Sequence, residues 1–200
     1  MSRLRTRLGN LGISDRLGLR APIFGFSHAV EVVAAITNAG GYGVYGATRR
    51  LPEEIEAELA WIRARVGDRP FGVDLVIPAK VPEKNDRAAL EREIPEPHRA
   101  FIAGIEAKYA VPKPSGPGMR TRFIRSEEIQ DAQIAAVAAS DVDLVALGIG
   151  CPPEVVATMK ARGKTTVALV GQERHAAKAL EAGVDLLVAQ GYDAGGHTGV

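Results

Sequence analysis

The sequence contains little of what disulfide-bonded, nucleic-acid-binding or membrane-spanning proteins need. Only one cysteine, Cys151, occurs in 200 residues, so no disulfide can form within the chain, which is typical of the reducing cytoplasm. Aromatic residues make up 5%, too few for base-stacking surfaces, and 25 basic against 24 acidic residues leave a net charge of +1. No apolar stretch reaches the roughly 20 residues of a membrane-spanning helix. These absences predict a cytoplasmic protein that binds neither nucleic acid nor membrane.

What the chain does contain is a regular alternation of apolar strand patterns and helical patterns. Hydrophobic residues make up 46% and charged residues 24%, which is enough for a globular protein with a sizeable core. Apolar runs predict strands at residues 21–26, 42–45, 71–77, 142–147, 165–170 and 184–189. Helical spacing predicts helices at 29–38, 52–66, 127–139, 153–162 and 172–182. Alternation of this kind favours a parallel sheet.

The alternation is interrupted between residues 78 and 125. This segment holds seven prolines, a charged stretch at 83–93 and a helical pattern around 98–109. Long inserted segments in compact domains are often lids. We therefore expect one domain over residues 1–200, with residues 78–125 as an insertion or lid within it.

The positions of glycine and polar residues favour a (β/α)8 barrel over a doubly wound sheet. No Gly-x-Gly-x-x-Gly pattern follows the first strand, so the dinucleotide-binding signature is missing. Glycine and polar residues that could form a functional site instead lie late in several strands or just after them, which is typical of a TIM-type barrel. Six strands cannot close such a barrel, and we expect a polypeptide truncated after strand six, with strands seven and eight missing.

The most informative segment follows the sixth strand, at residues 189–199. Its glycines, including Gly195 and Gly196, allow backbone to approach a ligand closely, and His197 stands among them. An imidazole with an ordinary pKa of about 6.5 is suited to act as a base near neutral pH. This pattern predicts a cofactor enzyme with a histidine base, although a loop histidine that only bonds backbone is the simpler alternative.

Three segments together resemble the nitronate monooxygenase family, formerly called 2-nitropropane dioxygenases. The first runs from Ala21-Pro22-Ile23-Phe24-Gly25 to Asn38-Ala39-Gly40-Gly41-Tyr42-Gly43, and the second is Pro70-Phe71-Gly72-Val73-Asp74-Leu75. The third runs from Ala182-Gly183-Val184-Asp185 to Gly195-Gly196-His197 and is the most specific. Members of the family are FMN-dependent (β/α)8 barrels, so the resemblance implies this fold and cofactor.

The resemblance also implies roles for particular residues. His197 matches the catalytic base of the family. The residues implied to bind FMN are Ala21, Pro22, Ile23, Asp74, Gly148, Gln190, Gly195 and Gly196.

The chain departs from the family pattern at three of these positions. Asp74 stands where the family has an asparagine, and an ionised carboxylate only accepts hydrogen bonds. Asp74 could take the N–H of the flavin pyrimidine but would repel negative charge on a reduced flavin. Ile23 replaces a methionine, and Gly148 stands where many members carry a histidine. These changes affect the expected substrate more than the expected cofactor.

Three functions follow as hypotheses. The first is an FMN-dependent oxidase or monooxygenase that oxidises nitronates or related acidic carbon compounds with O2. The second is a flavin-dependent enoyl or quinone reductase that uses NAD(P)H on the same fold. The third is a flavin-binding barrel without turnover. The partners are thus a small-molecule substrate and O2 or NAD(P)H, with a homodimer left open.

The remaining histidines and the cysteine have simpler expected roles. His28 is expected to help cap the helix that begins near residue 29, with a substrate contact as the alternative. Cys151 is expected to be a buried, inert thiol. His98 and His175 are expected on the surface. Their wide spacing provides no metal-binding pattern.

Overall fold

The computed structural model describes residues 12–78, 80–116 and 122–194. The chain divides into two compact units. The first comprises residues up to 79 together with those from 132 onward, and the second comprises residues 80–131. Among the described helices, none has the length and apolar character needed to cross a membrane.

The first unit is built from alternating strands and helices. The strands are β1 (Phe24–Ser27), β2 (Tyr42–Gly46), β3 (Gly72–Leu75), β4 (Leu144–Leu147), β5 (Thr165–Val170) and β6 (Leu186–Ala189). The helices of this unit, numbered along the whole chain, are α1 (Ile13–Arg16), α2 (Val30–Asn38), α3 (Pro52–Val66), α7 (Pro153–Ala161) and α8 (Glu173–Glu181). Helix α6 (Glu127–Ala139) begins in the second unit and ends in the first. Within the second unit lie α4 (Arg87–Arg92) and α5 (Glu96–Lys108).

Helix α3 shows why these segments fold as they do. Proline occupies its first turn, where the missing N–H costs nothing, and the Glu54 carboxylate accepts the Leu51 N–H at 2.7 Å. Its buried residues recur at helical spacing: Ile55, Leu59, Ile62 and Val66. The helix ends at Gly67, whose φ of 61° is easily adopted only by glycine.

The six strands form one parallel sheet in the order β1-β2-β3-β4-β5-β6. Every strand therefore pairs with its sequence neighbour, as in the wall of a (β/α)8 barrel. The register aligns Gly46 with Asp74 and Asp74 with Ala146, so the carboxyl ends of the strands meet at one edge. We call this edge the carboxyl edge.

The two faces of the sheet differ in what covers them. Outward strand residues such as Val73 and Val145 join one large core with side chains from the helices. The opposite face, which we call the open face, carries a smaller cluster of Tyr42, Val44, Leu144, Ala146 and Val167, with Leu17, Leu19 and Leu186 against it. Helices on one face only are the arrangement of a half-barrel and not of a doubly wound sheet. The predicted (β/α)8-type fold, open after strand six, is thus confirmed.

The two outer strands are the least buried part of the sheet. Phe24 and Phe26 on β1 and Leu187 and Val188 on β6 are all more than a third exposed. In the described part of the chain, β1 pairs only with β2 and β6 only with β5. The sheet is therefore open at both ends.

The structure refines the predicted elements. Each predicted strand is present, but β3 is shorter than residues 71–77 and β1 begins later, at Phe24. Helix α1 was not expected from the sequence. Part of the charged stretch 83–93 forms helix α4, whose first turn is capped by the Asp86 carboxylate accepting the Ala89 N–H at 3.0 Å. The expectation that residues 78–125 form an insertion within one domain stays a prediction.

Candidate functional site

The candidate site lies on the open face at the carboxyl edge. Gly46 ends β2, Asp74 is the penultimate residue of β3, and Gly148 directly follows β4. These positions continue the alternation of Tyr42 and Val44 on the open face. We call the surface formed by Gly46, Asp74 and Gly148 the glycine mouth.

The two glycines of the mouth differ in what lies against them. A Cβ added at Gly148 would lie 3.4 Å from Oδ1 of Asp74 and 3.2 Å from Val76. A Cβ added at Gly46 would lie 2.5 Å from Nδ1 of His28 and would displace that ring. The rings of His28 and Phe26 therefore cover Gly46, and the half-buried Gly148 is where a ligand could meet backbone beside Asp74.

Asp74 is the buried ionisable group of the mouth. It is 8% exposed, and within the described residues its carboxylate receives no hydrogen bond. Burial raises the pKa of Asp74 to about 6, while the His28 imidazole acts in the opposite direction. Near neutral pH this carboxylate can therefore change its protonation state when its surroundings change.

His28 does not cap helix α2 and this prediction was wrong. Its Nδ1 lies 2.7 Å from the carbonyl oxygen of Gly46, and a carbonyl only accepts, so Nδ1 carries the hydrogen. The N–H of Ala29, at the start of the helix, instead donates to the Ser27 hydroxyl at 3.0 Å. The Phe26 ring meets the imidazole edge to face, with centroids 5.0 Å apart. His28 is thereby held beside the mouth by a neighbouring strand.

Two of the residues predicted to bind the cofactor meet in a cavity of about 600 Å³. Gly148 and Gln190 both line it, and the Gln190 N–H donates to the Val170 carbonyl at 2.9 Å. The complete lining is residues 147–151, residues 168–171, His175, Lys178, Ala179 and Gln190. The cavity thus joins the ends of β4, β5 and β6.

His175 was expected on the surface, but it is half-buried and lines this cavity from the first turn of α8. Its charged neighbours in sequence gave no sign of this, because the turn of the helix and not local composition decides which side faces the cavity. Cys151 also lines the cavity and is half-buried. Burial raises the pKa of its thiol, which agrees with an inert cysteine.

The structure does not bring Ala21, Pro22 and Ile23 to the mouth. They precede β1, and the Ala21 N–H donates to the carbonyl of Gly40 at 2.9 Å. The Ile23 carbonyl accepts the N–H of Tyr42, the first residue of β2. All three therefore lie towards the amino ends of the strands, away from Asp74. Their proposed contact with a flavin stays a prediction.

The proposed base, His197, lies outside the described residues, as do Gly195 and Gly196. Their roles therefore stay predictions. In the part of the chain that the structure does describe, no group of three or more His, Cys, Asp or Glu side chains could hold a metal ion.

Comparison with known proteins supplies the family. The model of the nitronate monooxygenase family matches residues 16–200. The chain belongs to the nitronate monooxygenase family. Relatives include a Mycobacterium tuberculosis protein that bears the name of a monooxygenase, 37% identical over 98% of this chain and 53% of its own length. The nitronate monooxygenase of Paraburkholderia phytofirmans is 30% identical over 98% of this chain and 50% of its own length.

Two solved structures have the same fold as this chain. The nitroalkane oxidase of Streptomyces ansochromogenes is 27% identical, with a TM-score of 0.67 over 94% of this chain and 50% of its own. FabK from Thermotoga maritima, at 20% identity and a TM-score of 0.63 over 94% of this chain and 46% of its own, shares the fold. The chain thus spans about half the length of the relatives that it matches.

Proposed function

We propose that the protein is an FMN-dependent oxidoreductase that oxidises nitronates or related acidic carbon compounds with O2. The observation that supports this most is the buried Asp74 carboxylate beside the backbone of Gly148, in a chain of the nitronate monooxygenase family. Catalytic residues of barrel enzymes lie at the carboxyl ends of strands, where this mouth lies.

The residues of the mouth fit a flat ring with an N–H on its edge. Gly148 brings bare backbone to the side of Asp74, where a Cβ would lie 3.4 Å from the carboxylate. Asp74 offers a buried acceptor that no described residue uses, and such groups normally find a partner. We assign FMN binding to Asp74, Gly148 and Gln190 on the described edge, and to Gly195 and Gly196 beyond it.

In the proposed reaction the chain binds, orients and moves a proton. FMN supplies the two-electron acceptor and the subsequent reaction with O2. His197 is proposed to take the proton from the acidic carbon, and the carbonyl and N–H groups of the glycine-rich segment would orient the substrate. The core of the first unit fixes the strand ends relative to one another and thereby positions Asp74, Gly148 and Gln190.

The test uses the full-length protein and two assays. Oxygen consumption with ethylnitronate is expected, and it should fall at least about 100-fold in His197→Ala because a base typically contributes 10²–10⁴-fold. The matched control is His98→Ala, an exposed histidine of helix α5. Oxidation of NADPH with an enoyl thioester, without nitronate turnover, would instead support the reductase on the same fold. Unchanged activities in His197→Ala would refute the role of this base.

A further inference from the structure

The feature that calls for an explanation is the isolation of Asp74. A carboxyl group that is 8% exposed usually receives hydrogen bonds or an ion pair, because burying a charge without a partner is costly. Among the described residues Asp74 has neither. The asparagine expected from the family pattern would fill the same space without an ionisable group.

The groups around Asp74 leave few sources of compensating charge. On the β4 side its neighbour is Gly148, and Val76 of its own segment lies beside that glycine. On the β2 side its register partner is Gly46, beyond which lies His28. His28 is the titratable side chain that acts on Asp74, and no hydrogen bond joins the two. The charge of Asp74 is therefore sensitive to whatever covers the mouth.

We propose that Asp74 takes up a proton when a flavin bound over the glycine mouth is reduced. This inference rests on the proposed function, because it needs FMN at the mouth. A ring that lies against Gly148 also lies beside this carboxylate, because a Cβ at Gly148 would be only 3.4 Å from Oδ1 of Asp74. Negative charge that appears on this ring lies close to a buried carboxylate in a low-dielectric site, where like charges repel strongly.

The charges balance as follows. A bound FMN that accepted two electrons from the substrate and one proton would gain one negative charge beside Asp74. A second proton, taken from solvent, binds the Asp74 carboxylate and forms its O–H bond. The ring and Asp74 together then carry the same net charge before and after reduction. Asp74 thereby stabilises the reduced ring that an ionised carboxylate would destabilise.

The measurement is the midpoint potential of the FMN-loaded, full-length protein between pH 5 and 8.5, with dithionite as reductant and a dye of known potential. One additional proton per two electrons adds a tenfold change in the equilibrium constant, or about 30 mV, per pH unit. Asp74 can take up this proton only where it is ionised before reduction, so we expect the slope to steepen from about 30 to about 60 mV per pH unit as the pH rises through the raised pKa of Asp74.

Three variants decide whether Asp74 is the site of this proton. Asp74→Asn should keep the shallower slope throughout, while Asp68→Asn, an exposed carboxylate, should behave as the wild type. His28→Gln should move the steepening to higher pH, because the imidazole lowers the pKa of Asp74. A shallow slope in the wild type, or a steep one that persists in Asp74→Asn, would overturn the inference and leave the proposed function intact. A protein that takes up no FMN refutes the proposed function, and the inference with it.

Discussion

Replacing Asp74 by asparagine should stabilise the protein near neutral pH. Burial raises the pKa of this carboxyl from 3.8 to about 6, so the folded state prefers its neutral form. The neutral form contributes its stability fully below pH about 4, and that contribution is lost as the pH rises through about 6. A difference of about two pKa units corresponds to about 3 kcal/mol, since each unit is worth 1.36 kcal/mol. Asparagine has a similar size and carries no charge at any pH.

Urea unfolding at pH 4 and pH 8 measures this difference. With no added flavin, Asp74→Asn should match the wild type at pH 4 and exceed it by about 3 kcal/mol at pH 8, with an unchanged m-value. Asp68→Asn, on the surface, controls for the change in net charge and should show no such pH dependence. If Asp74→Asn raised the free energy of unfolding equally at both pH values, or lowered it at pH 8, Asp74 could not be a buried carboxylate that lacks a hydrogen-bond or ion-pair partner.

Two further predictions concern the glycine turns and the last strand pair. Gly150→Ala should lower the free energy of unfolding by more than about 2 kcal/mol, because φ is +80° and its Cβ would lie 2.1 Å from the Ile77 carbonyl oxygen. Gly163 has a φ of +74° and open space around it, so Gly163→Ala should lower the free energy of unfolding by only about 1 kcal/mol in the same urea titration. Equal losses of stability in the two variants would contradict the steric clash at Gly150. Asp185→Asn should cost about 1–2 kcal/mol at pH 7, because an amide whose oxygen keeps both hydrogen bonds from Thr166 must turn its nitrogen towards the Lys160 ammonium, which lies 2.9 Å from the other carboxylate oxygen. Burial raises the pKa of Asp185, but the hydrogen bonds to its carboxylate outweigh burial and lower that pKa. The stabilising contribution of the carboxylate should therefore be present above pH about 4 and be lost as the pH falls below it. If Asp185→Asn cost as much stability at pH 3 as at pH 7, this account would be contradicted.

The sheet could be predicted from the sequence because buried parallel strands carry a local signal. Short apolar runs separated by helical patterns identify all six strands, and glycine or proline marks several helix ends. The sequence favoured a barrel over a doubly wound sheet because glycine and polar residues lie near the carboxyl ends of several strands. The structure supports that choice through the different cover of the two faces.

The parts of the site that escaped prediction depend on contacts between distant residues. His28 is held by the carbonyl of Gly46, eighteen positions away, and nothing local distinguishes this from a helix cap. His175 faces a cavity because of the rotation of α8, although its neighbours in sequence are charged. The burial of Asp74 could have been expected from its place within an apolar strand, but the absence of a described partner could not. Pairing across strands decides these features.

The most direct test of the account is a titration of the full-length protein with FMN, in which binding is monitored through the quenching of flavin fluorescence. The account predicts saturable binding of one FMN per chain, and at least tenfold weaker binding in Gly148→Leu, because its side chain would fill the glycine mouth beside Asp74. Gly104→Leu, at an open position of α5, should bind as the wild type does. Absence of FMN binding in the wild type, or equally tight binding in Gly148→Leu, would contradict a flavin site at this edge of the sheet.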